Sequence, residues 1–471
     1  MQNDLLSFLR ALDLHNVKYV SWKNNHQINK VLEGKSDLDL YVSLNQRELF
    51  LDVAIKHGFI NFQNPVAVFP FIEHLYCCNG CKPIFHLHVY FKVLTGEGWL
   101  KEYDLPLGEF LLKNRILSSS GFYILNPKAQ AYVFTLRHFL KNSSFSSRFL
   151  YAYDIESYRS EWLMCNFDVL SLSKYGPINL DNYILQSGLT GNFNLPNYFT
   201  SFMFRIRLLR YLRLKFYLLP FLRLSSFSLR LINKLYFKRK KVFKGKGIII
   251  AISGVDGSGK STMVRSIDDY FSEFLTVKKI SLGKPQGLIF EFLRKSFSNT
   301  GSAIKSFPND KPIKNTSLLK CFSLLVLASL RLLAAKKCQY YAGKGFFVLV
   351  DRWPTLEFGK MDGPKIFSSS RYGFASIFSK LEVFIYGLIP KTDVCVFLDV
   401  SVDTALIRNQ ERQKDDKETD SEIKYRHIEN KNFHPIASKV INFDNDGSFF
   451  DKKHELLSLI FNECLFFAGH K

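Results

Sequence analysis

The sequence predicts an α/β protein: a doubly wound parallel sheet in the C-terminal half, an α+β domain at the N-terminus, and a basic helical connector between them. Three observations carry this. From Gly247 onward, short apolar runs alternate with helical stretches, and the first run leads into a glycine-rich loop. Before about residue 125, short strands and helices alternate. Between Asn182 and Val255 there is no Asp or Glu but there are 14 Lys and Arg; of a net charge of +22, only +8 is left for everything else. A length of 471 residues exceeds one ordinary core, and 47% hydrophobic residues with 46 Phe argue for large cores over disorder.

Four segments are expected: an α+β domain over 1–125, a helical extension over 126–200, the basic amphipathic connector over 201–246 and the α/β domain over 247–471. The opening "MQNDLLSFLR" lacks a basic region followed by an apolar run, so it does not read as a signal peptide. "EGKSDLDLYV", residues 33–42, reads as a strand with Asp37 and Asp39 on one side, because residues two apart on a strand share a face. Neighbouring carboxylates repel unless something positive sits between them, so a divalent metal or a basic partner is expected there. "EHLYCC" and "CKPIFHLHVYF", on either side of Asn79-Gly80, read as a hairpin with a two-residue turn. Cys77, Cys78 and Cys81 with His74, His86 and His88 leave a zinc site open, although the turn alone explains why Cys78 would face Cys81. "PKAQAYVFTLRHFLKNS" opens the helical extension.

In the connector, "MFRIRLLRYLRLKFYLL" spaces Arg207, Arg210 and Arg213 along one helical side with Leu and aromatic residues between, and Pro220 ends it. "RLSSFSLRLINKLYFKRKK" resumes the amphipathic pattern. Three readings stay open: a solvated helical linker, a surface for an anionic membrane, and a nucleic-acid contact. No helix-turn-helix, zinc-finger or RNP signature accompanies the charge, which disfavours nucleic acid. The most apolar stretch, Phe322 to Leu330, meets Arg331 too soon to span a bilayer. Eight cysteines without an export signal point to reduced thiols and a cytoplasmic chain, any membrane contact being peripheral and at the inner face.

The C-terminal segment begins with the strand "GIIIAIS", and "KKISLG", "FFVLVD", "VCVFLDV" and "KVINFDN" are further strands. The polar stretch 296–315 reads as a mobile loop. "GVDGSGKST" holds Gly254, Gly259, Lys260 and Ser261 at Walker A spacing, between a strand and a helix. Glycines let backbone N–H groups converge on crowded phosphate oxygens, and the helix start adds its positive end. The loop Gly254, Val255, Asp256, Gly257, Ser258 and Gly259, with Thr262 in the first helical turn, is therefore expected to line a nucleotide. Lys260 reaches the β and γ phosphates and the Ser261 hydroxyl suits Mg²⁺. By chance the four fixed positions recur in roughly one or two percent of chains this long, whereas a bare D-x-D recurs about once per chain. The loop is thus the stronger signal.

"GVDGSGKST", followed later by "VLVDRW" at a strand end, resembles the thymidylate kinase-like group of P-loop kinases over roughly residues 247–470. The resemblance implies ATP as phosphate donor and Mg²⁺ as cofactor. It implies that Asp256 lies close to the acceptor, that Asp351 supports the Mg²⁺ shell, and that Arg352 grips the acceptor phosphate. Such kinases carry a lid where "RNQERQKDDKETDSEIKYR" stands; Arg408 and Arg412, four residues apart, would meet the ATP phosphates, or the stretch is a solvated charged helix. The sequence departs from the group after its Asp-Arg-aromatic: "DRWPTLEFGKMDGPK" lacks the Ser and Gln that read thymine, Asp362-Gly363-Pro364 makes a turn instead, and Ser253 replaces the usual acid before the loop. An acceptor other than thymidylate is expected.

Residues 1–125 resemble a nucleotidyltransferase fold, which places D-x-D on one strand and a third carboxylate on its neighbour, with metal ions among them. Asp37 and Asp39 would be the metal ligands, but "VSWKNN" lacks the upstream Gly-Ser and the neighbouring strand offers His86 or His88 instead of a carboxylate. Active transferase, binding domain with residual metal or phosphate affinity, and simple pairing of the aspartates with a lysine such as Lys23 all stay open. Relatives combining such halves resemble bacterial proteins of surface polysaccharide assembly, which implies a small-molecule, glycan or lipid-linked acceptor. The alternatives are a nucleoside-monophosphate (thymidylate) kinase and a nucleotide-gated scaffold without catalysis.

Overall fold

The computed structural model describes residues 2–78, 84–97, 100–141, 155–165, 172–180, 197–283, 318–366, 373–410, 419–430 and 433–469. Two compact units form: Met1–Arg239 with Cys464–Lys471, and Lys240–Glu463. The extension and most of the connector therefore fold with the N-terminal α+β segment. Among the described residues no helix is long and apolar enough to cross a membrane.

In the first unit the strands are β1 (Tyr19–Ser21), β2 (Leu38–Val42), β3 (Ile60–Gln63), β4 (Ile72–Cys77), β5 (Phe85–Tyr90), β6 (Val93–Thr95), β7 (Tyr103–Leu105), β8 (Arg115–Leu117) and β9 (Tyr123–Leu125). Seven of them lie in the order β3-β4-β5-β2-β1-β9-β8, and β6 pairs with β7. β2 runs parallel to β5 and antiparallel to β1. β2 is buried throughout. The helices Gln2–Leu14 and Arg47–Lys56 supply Phe8, Leu12 and Phe50 to one core cluster. A second cluster is built around the helix Pro127–Lys141. That helix begins with Asn126, whose Oδ1 accepts from the Ala129 N–H at 2.8 Å, and with Pro127 in its first turn.

One expectation is corrected here, that of the connector. The hairpin of β4 and β5 forms, its register running to Cys77↔Phe85. The expected two-residue turn at Asn79-Gly80, with Cys81, lies outside the described residues. The connector is not one helix up to Pro220. The helix Tyr198–Arg207 stops at Leu208, because Leu212 turns extended and bridges to Tyr103 while the Arg213 N–H donates to the Glu102 carbonyl at 2.9 Å. Pro220 instead sits in the first turn of the next helix, Leu219–Ile232, where its missing N–H costs no hydrogen bond.

The second unit opens with β10 (Val242–Phe243), then β11 (Ile249–Gly254), β12 (Val277–Ser281), β13 (Phe347–Asp351), β14 (Thr392–Asp399) and β15 (Ala437–Asp444). The five expected strands form one sheet in the order β12-β13-β11-β14-β15, parallel at every pairing. Parallel strands need helical crossovers, which is why the three central strands β13, β11 and β14 are largely apolar on both faces. β11 is buried along its whole length. It lies centrally, so the carboxyl ends of β13, β11 and β14 open side by side with Asp351, Gly254 and Asp399 at their tips. The polar stretch 296–315 lies outside the described residues.

Candidate functional site

β11 delivers the chain at Gly254 against β14. A Cβ there would stand 2.6 Å from both the Leu398 carbonyl oxygen and Ser258 Oγ, so a side chain would collide with backbone. Gly259, with φ of 82°, turns the chain left-handed into the helix Lys260–Phe271. The loop thus points backbone amides and a helix start to the same place. Lys260 is buried and folds back, donating to the Val255 carbonyl at 2.6 Å. Burial, and then the like charge of Arg352, push its pKa down to about 8 despite Asp256 and Asp351 nearby. Ser261 and Thr262 are exposed in the first turn of the helix. Asn445 donates to the Ser258 carbonyl at 2.7 Å, and Arg408 donates to the Asn445 carbonyl at 2.9 Å, which sets Arg408 at the rim of the loop. Arg408 Nη1 is buried without a hydrogen-bond partner among the described residues. Arg412 lies outside them.

Asp256 is the electrostatic centre. Arg352 Nη2 lies 3.1 Å from Asp256 Oδ1, Lys260 Nζ lies 3.8 Å from the same oxygen, and Arg426 Nη1 pairs with Oδ2. Burial raises the Asp256 pKa, but the three cations outweigh it and hold the carboxyl well below the usual carboxylate range. Arg426 ends the charged stretch 408–426 and sits on the helix Asp420–Glu429. No charge pattern in the sequence singles it out from the other cations of that stretch. It is 170 residues from Asp256 and meets it only through the fold.

Asp351 ends β13 opposite Ile252 of β11, and the Arg352 N–H donates to the Ile252 carbonyl at 3.0 Å. Arg352 holds a φ of 67°, a left-handed conformation that a non-glycine residue adopts when its surroundings impose it. Burial first, then Asp362 and Asp256, raise the Asp351 pKa, against Arg352 and Lys260. Its Oδ1 is buried with no hydrogen-bond partner among the described residues. An orphaned carboxylate oxygen fits a hard cation that takes oxygen ligands, such as Mg²⁺.

The Asp362 turn does more than change direction. Asp362 is buried, accepting from Arg331 Nη2 at 2.7 Å and from Arg352 Nη1 at 3.5 Å. Arg331, a buried charge midway along the helix Leu318–Gly343, also donates to the Tyr386 hydroxyl at 2.5 Å and to the Leu282 carbonyl at 3.1 Å. Arg352 is therefore held between Asp256 and Asp362. Ser253, in place of an acid, is fully buried and accepts from the Trp353 N–H at 3.2 Å, tying β11 to the chain after β13.

In the first unit, Asp39 is buried and engaged by Lys23 at 2.8 Å, His88 Nδ1 at 3.0 Å and Asn24 Nδ2 at 2.7 Å. Asp37 precedes β2, is exposed, and pairs with His86 Nδ1 at 2.6 Å. Burial works against the charge of Lys23, yet Asp39 and Tyr90 hold its pKa above the ordinary lysine value. His74, His86 and His88 stack on the same face, ring to ring. Among the described residues no group of three or more His, Cys, Asp or Glu is placed to hold a metal ion. Asp37 is thus found with His86, and buried Asp39 with Lys23, His88 and Asn24, its charge compensated by the lysine.

No family model matches the chain. Over 202 residues, 43% of this chain and 90% of the relative, it is 27% identical to thymidylate kinase from Thermosipho melanesiensis. Over 176 residues, 35% of this chain and 74% of the relative, it is 23% identical to the uncharacterized ATP-binding protein YghS of Escherichia coli. Among solved structures, it matches thymidylate kinase from Candida albicans at 18% identity, covering 46% of this chain and 92% of that one with a TM-score of 0.30. It also matches deoxyadenosine kinase from M. mycoides, solved with dATP, at 16% identity, covering 45% and 99% with a TM-score of 0.28. The sequence likeness is to P-loop nucleotide kinases and falls on less than half of the chain.

Proposed function

We propose that the second unit is an ATP-dependent phosphotransferase. The observation that supports this most is the convergence of Lys260, Arg352 and Arg426 on Asp256 at the mouth of the glycine loop. Phosphoryl transfer needs charge compensation and alignment, and these cations gather where a polyphosphate would lie. The loop amides and Lys260 hold the β and γ phosphates of ATP. Asp351 and Ser261 would hold Mg²⁺, which neutralises phosphate charge when bound. Arg426 closes over the donor from the lid helix, with Arg408 at the loop's rim. Arg352 exchanges Asp256 for an anionic group of the acceptor, kept aligned by Asp362. The acceptor oxygen then bonds to the γ phosphorus as the bond to the β–γ bridging oxygen breaks, and ADP leaves.

For the acceptor, the missing Ser and Gln and the Asp362 turn support a molecule other than thymidylate, such as a surface-polysaccharide or lipid-linked intermediate. The 27% identity to a thymidylate kinase favours thymidylate as the second reading. For the first unit we propose a binding module, since Lys23 already compensates Asp39. Transfer of label from γ-labelled ATP, screened over sugar phosphates, polyprenyl phosphates and thymidylate with Lys260→Ala as blank, tests both. Label on thymidylate alone would support the second reading; label on none would remove the phosphotransferase.

A further inference from the structure

A surface helix on a globular unit turns its apolar stripe inward. The two connector helices of the first unit do the opposite. On Tyr198–Arg207, the exposed residues include Phe199, Phe202, Met203 and Ile206, at the spacing of one helical stripe, while Thr200, Ser201, Phe204 and Arg205 are buried. On Leu219–Ile232 and the turn after it, Phe221, Leu224, Phe227, Leu231 and Leu235 recur every third or fourth residue and all are exposed, Phe221 at 70%. Arg223, Ser225, Ser226 and Arg230 of that helix are half-buried instead.

The inversion has a cause. Glu102 is fully buried and Glu97 nearly so. Arg205 Nη2 pairs with Glu102 at 2.6 Å and also donates to the Leu140 carbonyl at 2.8 Å. Arg223 pairs with Glu102 at 3.4 Å and with Glu97 at 3.5 Å. One buried acidic pair thus takes the basic side of both helices, and most of their Phe and Leu side chains are left outside, buried Phe204 and Leu219 and half-buried Leu222 excepted. Between and beyond these stripes stand exposed Arg210, Lys215, Lys234 and Lys238, with no Asp or Glu anywhere from Asn182 to Val255.

We propose that these stripes dock on a bilayer carrying anionic headgroups, their Phe and Leu side chains entering the interface and the flanking cations meeting the lipid charge. Apolar stripes with a cationic rim are what such a surface selects. A second copy of the chain is a poor occupant, since it would set one uncompensated basic face against another. The surface lies wholly in the first unit, so its test does not depend on phosphotransfer.

The test is co-sedimentation of the full chain with phosphatidylcholine vesicles, with and without about 30% phosphatidylglycerol, at low and high salt. Binding is expected to the anionic vesicles at low salt and to weaken with salt. Phe221→Ser with Leu224→Ser is expected to cut partitioning about tenfold or more while leaving the melting temperature unchanged, because both side chains are already exposed. Lys234→Gln with Lys238→Gln should reduce binding to the anionic vesicles and not to neutral ones. No sedimentation with anionic vesicles, or sedimentation untouched by the Phe221 and Leu224 changes, overturns the proposal. So does a wild-type dimer in sedimentation equilibrium that those two changes dissociate, since the stripe would then cover another copy.

Discussion

Asp256→Asn removes the anion at the centre of three cations and leaves Lys260, Arg352 and Arg426 facing one another. Taking one partner from a buried ion pair costs about 3–5 kcal/mol; Asp256 keeps 22% of its side chain in solvent, which places the loss near the low end, about 3 kcal/mol. For a unit of about 220 residues that is roughly 6–12 °C of melting temperature. A polyphosphate restores the missing negative charge, so tripolyphosphate or Mg-ATP should raise the melting temperature of the variant more than that of the wild type. Its affinity should tighten by about tenfold or more, because the cations no longer have to leave a carboxylate. Acid behaviour should change with the same sign. The folded-state pKa of Asp256 is depressed, so its stabilisation is present above the unfolded value of about 4 and fades as pH falls through the folded one. The variant's stability should therefore fall less steeply below about pH 4. Differential scanning calorimetry with and without tripolyphosphate reads all of this. A variant that melts with the wild type and gains no more from the ligand would refute the reading of Asp256 as a stand-in for phosphate charge.

Other expectations follow from single contacts. Lys260 has a pKa near 8 in the free site, and a bound polyphosphate should pull it up, so binding takes up a proton above that pH and weakens about tenfold per unit. Calorimetry at pH 8.5 in buffers of different ionisation enthalpy would show it; identical heats would contradict it. Gly254→Ala should cost about 1–3 kcal/mol by denaturant titration, since the added methyl meets the Leu398 carbonyl, and a neutral result would mean the loop relaxes freely. Asp362→Ala leaves Arg331 buried without its carboxylate and holds Arg352 from one side only, so stability should fall by about 3 kcal/mol, the acceptor KM should rise and kcat should fall. Unchanged kinetics would remove Asp362 as a positioning residue.

Much of the second unit was legible because its signals are local. A fully apolar run such as Ile248 to Ile252 can only be satisfied by burial on both faces, and the glycine loop sits at its end where backbone amides are exposed. Asp351 and Arg352 could be placed at a strand tip by the same logic. What was not legible depends on chain closure. Arg426 and Asp256 meet across 170 residues, and Arg331 meets Asp362 through a helix that reads as merely apolar. Of the arginines in the charged stretch 408–426, Arg408 lies at the rim of the loop and Arg426 on Asp256, and nothing in an i, i+4 pattern set either apart. In the first unit, the D-x-D spacing gave the shared face, while the partners of Asp39 came from three separate segments. The connector shows the limit most plainly. Periodicity finds the stripe on Leu219–Ile232, but which side faces inward was decided by Glu97 and Glu102, about 120 residues earlier.

The most direct measurement is isothermal titration of the full chain with Mg-ATP, wild type against Lys260→Ala. Saturable binding of one nucleotide per chain, weakened at least about tenfold by the substitution, is the expected result. No heat from the wild type, or equal affinity in both proteins, would mean that the glycine loop and its lysine do not grip a polyphosphate.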